Sequence, residues 1–131
     1  MPPLGHPSEA FHPASSLHLR SSLLLLLIAE QPRHGYELMD RLAGMGFERD
    51  PGGLYRSLRS MERDGLVGSE WELSASGPGR RRYHITPLGS QRLDLDAGLL
   101  EQTRQVVEMY LARHRSLALR STAVDATRAP G

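Results

Sequence analysis

The chain contains no cysteine and no lysine among its 131 residues. The first absence excludes disulfides, thiolate metal sites and cysteine nucleophiles, and fits a reducing compartment. The second makes every basic side chain an arginine, 16 of them against 15 acids. A net charge of +1 excludes a polycation, so any attraction for phosphate has to be local. Long hydrophobic runs are also missing. The longest, Leu23 to Ile28, falls far short of the ~20 residues that span a bilayer. No small-x-small cleavage site follows it, so it reads as a buried helix rather than a leader. His6, His12 and His18 recur at regular intervals, but in a proline-rich stretch with no pattern that makes them converge on a metal. No Ser/His/Asp set, phosphate loop or carboxylate pair has catalytic spacing. The sequence therefore supports no enzyme, no cofactor and no metal.

What is present is a series of punctuated apolar patterns. A helix from Leu17 to about Gln31, capped by Ser15 or Ser16 and stopped by Pro32, is apolar nearly all round in its second half; such a helix belongs in a core. "HGYELMDRLAGMG" reads as a second helix ended by Gly44 and Gly46. "DPGGLYRSLRSMERDG" reads as a third. Asp50 is its N-cap, Pro51 its first residue, and Leu54, Leu58 and Met61 its buried stripe. Arg56, Arg59 and Arg63 share a different, solvent-facing side. Two strand-like runs around "SASGPG" then read as a β-hairpin. In it Trp71 and Leu73 alternate with Glu70 and Glu72, and Arg81, Tyr83 and Ile85 alternate with Arg80, Arg82 and His84. Thr86 and Pro87 start a last helix expected to run to about Ser116. It carries one apolar stripe of Leu93, Ala97, Leu100, Val107 and Leu111, interrupted by Arg104, and another of Leu99, Val106, Tyr110 and Leu117. Two stripes on so long a helix imply a partner helix.

Three helices followed by a hairpin is the order of a winged helix-turn-helix, whose third helix enters the DNA major groove. The expected architecture is mainly α with a small β-hairpin. It divides into a flexible tail (1–16), a winged helix-turn-helix (17–86), a dimerisation helix (87–117) and a second flexible tail (118–131). The helix N-terminus offers unpaired N–H groups to a phosphate. Gly52 and Gly53 remove side chains there, so that backbone can approach closely, and Tyr55, Arg56 and Arg59 project near that end. Arg80, Arg81 and Arg82 form a second cluster on the hairpin.

The stretches "HGYELMDRL", "DPGGLYRSLRSMERDGLVGSEWE" and "GPGRRRYHITPLG" resemble the PadR family of transcriptional regulators, in the smaller branch with one C-terminal helix. The resemblance implies a cytoplasmic, nucleoid-associated homodimer that binds a double-stranded, near-palindromic operator. It implies repression relieved by a small molecule or stress signal, and no membrane partner. It gives Tyr55 a DNA contact, places His34, Gly35 and Tyr36 beside the nucleic-acid backbone, and makes Trp71 the wing tryptophan, expected to pack at the wing base. Gly53 and Arg56 stand where the family usually has Ser or Thr and Pro. An apolar effector fits a dimer groove lined by the first and last helices. A different class remains open from the residues alone: a winged-helix sensor or protein-interaction module that binds an anionic nucleotide through "GRRRY".

Overall fold

A computed structural model describes residues 13–75 and 77–127, with side chains from 18 to 75 and from 77 to 124. In chain order its elements are α1 (Pro13–Glu30), β1 (Arg33–His34), α2 (Gly35–Gly44), α3 (Pro51–Arg63), β2 (Val67–Ser74), β3 (Gly77–Ile85) and α4 (Pro87–Thr127). Contacts divide the chain into two compact units, the second beginning at Leu95.

The core of the first unit is built from the residues the periodicity picks out. Leu24, Leu25, Leu27 and Ile28 of α1 meet Leu38 and Leu42 of α2 and Leu54, Leu58 and Met61 of α3, with Val67 and Tyr83 from the sheet. Leu26 escapes this environment and is exposed, so α1 keeps one open side. α1 also begins at Pro13 rather than Leu17. Proline is tolerated in a first turn, where its missing N–H has no helical partner anyway. Ser15 and Ser16 thus fall inside the helix, with their side chains outside the described residues. His6 and His12 also lie outside them; among the described residues no three metal-ligating side chains converge, and no helix is long and apolar enough to cross a membrane.

The hairpin is part of a three-stranded antiparallel sheet of order β1-β3-β2. β1 pairs Arg33 with Tyr83 and His34 with Arg82. Arg33 anchors this short strand: it is buried, and its Nε donates at 2.9 Å to the Leu27 carbonyl in the last turn of α1. The turns after α2 and α3 hold Gly46 at φ +97 and Gly65 at φ +78, a left-handed backbone that glycine adopts without steric cost. Thr86 caps α4, its hydroxyl donating to the Gly65 carbonyl (2.6 Å) and accepting from the Gly89 N–H (3.0 Å).

Leu93, read from the sequence as a dimerisation position, packs instead against the core of its own unit. In the second unit every described side chain from Ala97 to Val124 is exposed. α4 extends past the expected end at Ser116 to Thr127, so residues 118–127 are helix rather than tail; no glycine or proline stands between Gly98 and Pro130 to stop it.

Candidate nucleic-acid interface

The N-terminus of α3 is closed by its own cap. Asp50 accepts the Gly53 N–H at 3.0 Å on Oδ1, and Arg20 of α1 lies 3.8 Å from its Oδ2. Gly53 is buried beneath this pair: a Cβ there would stand 2.1 Å from Asp50 Oδ2 and 3.2 Å from Arg20 Nη1. The missing side chain makes room for the cap, which removes Gly53 from the residues available to a phosphate. Gly52 remains exposed, beside the Arg56 guanidinium.

Gly35 also has a packing reason. A Cβ there would meet Tyr55 at 2.7 Å from Cε1 and 2.8 Å from the hydroxyl oxygen. Gly35 is buried and seats the Tyr55 ring across the start of α2.

The β2–β3 register sorts the wing arginines. Trp71 lies opposite Arg81 on one face, while Glu70 opposes Arg82 and Glu72 opposes Arg80 on the other; opposed charges of this kind stabilise a strand pair. Trp71 does not pack at the wing base. It is 60% exposed, with the Arg81 guanidinium 5.8 Å from its ring centre. Gly79 leaves the space for it, since a Cβ at that position would collide with the indole. Size argues for burial of a tryptophan, but the register carries this one beyond the reach of the core.

A polar chain fixes the wing to α3. Arg81 Nη1 donates to the Ser69 hydroxyl (3.0 Å), which donates to the Glu62 carboxylate (2.7 Å). Tyr83 lies beneath; burial, with Glu62 nearby, pushes its hydroxyl above its ordinary value, so it stays neutral. On the other side of the wing Arg80 Nη1 donates to the Tyr36 hydroxyl (3.0 Å), with its guanidinium 5.3 Å from the Tyr36 ring centre. Tyr36 in turn stacks on His34, at 5.6 Å between centroids and 8° between planes. His34 is engaged by two carboxylates, Glu37 and Glu72, and its side chain is only 13% exposed. Its ring is thus engaged within the fold at the edge of the concavity described next.

Together these elements enclose a concavity of about 370 Å³ between α3, the start of α2 and the wing. Tyr36, Tyr55, Arg59, Trp71, Arg80 and Arg81 line it, with His34, Gly35, Gly79 and Tyr83. Arg56 and Arg63 are exposed on α3 outside this lining. Arg82 borders a separate hollow with Pro32, Glu70 and His84. Helical spacing thus finds Arg59, but only strand register separates Arg81 from Arg82. Trp71 and Gly79 enter the site through that register, a signal already present in the alternation of the hairpin.

A helical triad, an exposed third helix and a sheet whose long hairpin flanks that helix define a winged helix-turn-helix protein. Residues 24–95 match the Transcriptional regulator PadR-like family, and the chain belongs to it. The Mycobacterium tuberculosis protein named transcriptional regulator Rv3488 is 37% identical over 79 residues, spanning 60% of this chain and 73% of that one. The solved structure of Thermoplasma acidophilum TA0346 is 27% identical with a TM-score of 0.68, over 76% of this chain and 96% of that chain. A PadR-like transcriptional regulator from Bacillus cereus is 28% identical with a TM-score of 0.61, over 70% and 89%. The family is one of transcriptional regulators, not of enzymes.

Proposed function

We propose that this regulator binds a near-palindromic operator as a homodimer and represses the promoter it covers, in the cytoplasm, until a small molecule or stress signal releases it. The observation that carries the DNA reading is electrostatic. Three arginines from two different elements converge on one concavity whose lining includes no Asp or Glu, in a chain of net charge +1. Local positive potential of that kind selects a polyanion.

In this reading α3 lies in the major groove, with Tyr55, Arg56 and Arg59 toward base edges, Gly52 near the backbone and Arg63 farther along the groove. Arg80 and Arg81 grip phosphates beside it, Arg82 approaches from the far side of the wing, and Tyr36 and Trp71 support the grip. The winged head spans 17–86, and the helix beyond it supplies the self-association that sets two heads about one helical turn apart. Four of the five α4 positions first assigned to pairing, Ala97, Leu100, Val107 and Leu111, are exposed in the single chain and open to a second copy.

A gel shift with DNA from upstream of the protein's own gene, titrated with salt, tests this reading. Binding should weaken steeply as salt rises. Arg59→Ala should weaken operator binding by about 1–3 kcal/mol, and should weaken random duplex less. Equal losses on both duplexes reduce Arg59 to a phosphate contact; no retardation at low salt ends the DNA reading.

A further inference from the structure

Glu62 is an acid on the helix that carries the arginines of the site, one turn beyond Arg59 and next to Arg63. Coulomb's law alone makes it a liability there, because a carboxylate repels phosphate. Its contacts show a different use. Both Glu62 oxygens lie within reach of the Ser69 hydroxyl on β2, at 2.7 and 2.8 Å, while Arg63 turns to Ser60 and Asp64. A hydroxyl has one proton to give. With that proton on Glu62, the Ser69 oxygen is left as an acceptor, and Arg81 Nη1 donates to it at 3.0 Å. We infer that Glu62 is a positioning residue for Arg81: acting through Ser69, it orients the acceptor that holds this guanidinium at the concavity.

The register explains why these three residues meet. Ser69 opposes Tyr83 and Trp71 opposes Arg81 in the β2–β3 pair, so Ser69 and Arg81 are diagonal neighbours on one face of the wing. Glu62 and Ser69 are half-buried, whereas Arg81 is exposed. The guanidinium is flanked twice, by the Ser69 oxygen and by the Trp71 ring, whose centre is 5.8 Å away. A guanidinium has five N–H donors. One is spent on Ser69, and the others remain for phosphate oxygens. An unrestrained arginine loses rotamer freedom when a ligand fixes it, and a side chain already fixed loses less. Because Glu62 belongs to α3 and Arg81 to β3, the same chain sets the grip of the wing relative to the helix it flanks.

The effect on DNA rests on the function proposed above, but the seat of Arg81 can be read without DNA. In 15N relaxation of arginine side chains in the full-length protein, the Arg81 Nε–H should be more ordered than that of the exposed Arg56. Ser69→Ala and Glu62→Ala should each release it. Glu62→Gln, which keeps an acceptor for the Ser69 hydroxyl, should leave it ordered. Circular dichroism checks the fold of each variant. Arg81 no more ordered than Arg56 in the wild type, or as ordered in Glu62→Ala as in the wild type, overturns the inference. With operator DNA, Glu62→Ala should weaken binding by about three- to tenfold, the scale of one side chain immobilised on binding, although it removes a negative charge from the DNA-facing helix. Asp64→Asn removes the same charge beside that helix without touching Ser69, and should bind as well as wild type or better. In an Arg81→Ala background Glu62→Ala should cost nothing further. Glu62→Ala that binds as tightly as wild type or more tightly, or a loss undiminished without Arg81, also overturns the inference. Wild-type protein that binds no DNA ends the DNA reading, while the relaxation results still decide the seat of Arg81.

Discussion

The glycines of this chain do different work from one another. Gly35 and Gly53 are both buried, yet what a methyl group would strike differs. At Gly35 it meets the far end of the Tyr55 ring, which can swing away. Gly35→Ala should therefore change stability by no more than about 1 kcal/mol, while operator affinity falls because Tyr55 is displaced. In a Tyr55→Ala background the same substitution should have no further effect on binding, a double-mutant cycle read by gel shift. At Gly53 the methyl meets the Asp50 carboxylate that caps α3. Gly53→Ala should destabilise the protein by about 1 kcal/mol or more, as loss of an N-cap does, and much less in an Asp50→Ala background. Urea denaturation measures both. Glu37 makes a third residue-scale case. The His34 backbone N–H, then its ring, hold this carboxyl below its ordinary value of 4.5. A carboxyl depressed in the folded state contributes stability that is present above its unfolded value and lost as pH falls through the folded one. Glu37→Gln should lower stability above about pH 5 and converge on wild type as the pH falls, so that the acid side of its stability profile is flatter; urea denaturation across pH reads this.

At the scale of elements, α3 was the most legible. Leu54, Leu58 and Met61 fall on its buried face and Asp50 caps it, because helical spacing and capping chemistry are local and need no knowledge of the fold. Leu58 is fully buried, so Leu58→Ala should lose about 2–5 kcal/mol, a large share of the ~5–15 kcal/mol that such a domain has. Thermal melts at fixed pH check this. The two-residue strand β1 was not legible. So short a run shows no alternation, and its place depends on a buried arginine finding the carbonyl of Leu27. The wing was half legible: alternation predicted its two faces, but which face meets α3 is tertiary information. That is why sequence alone points Trp71 toward the wing base, and does not separate Arg81 from Arg82 although they border different hollows. His34 shows the same limit. Its spacing from Glu37 is visible in the sequence, whereas Glu72 reaches it only through the order β1-β3-β2.

At the scale of the whole molecule the question is why a regulator carries a helix of 41 residues whose second unit buries almost nothing of its own. Leu99, Leu100, Val106, Val107, Tyr110, Leu111 and Leu117 are all exposed in the single chain, far more apolar surface than scattered surface residues explain. Arg104 interrupts the stripe without forbidding a partner, because Glu101 and Glu108 on the same helix already engage it. Burial of each leucine contributes about 1.5–3 kcal/mol, and a symmetric pair counts each position twice. Leu100→Glu should then raise the dimer dissociation constant by about 100-fold or more, and Val107→Glu should do so to a similar extent. Neither side chain supports its own subunit, so the melting of the winged head should be unchanged when dimer dissociation is allowed for. Analytical ultracentrifugation across protein concentration reads the shift. Operator binding should weaken in parallel, because one head alone loses half of a two-headed grip. Wild-type protein that sediments as a monomer at all concentrations would sink the pairing of α4, and a Leu100→Glu dimer as tight as wild type would move the interface to a different face of the helix.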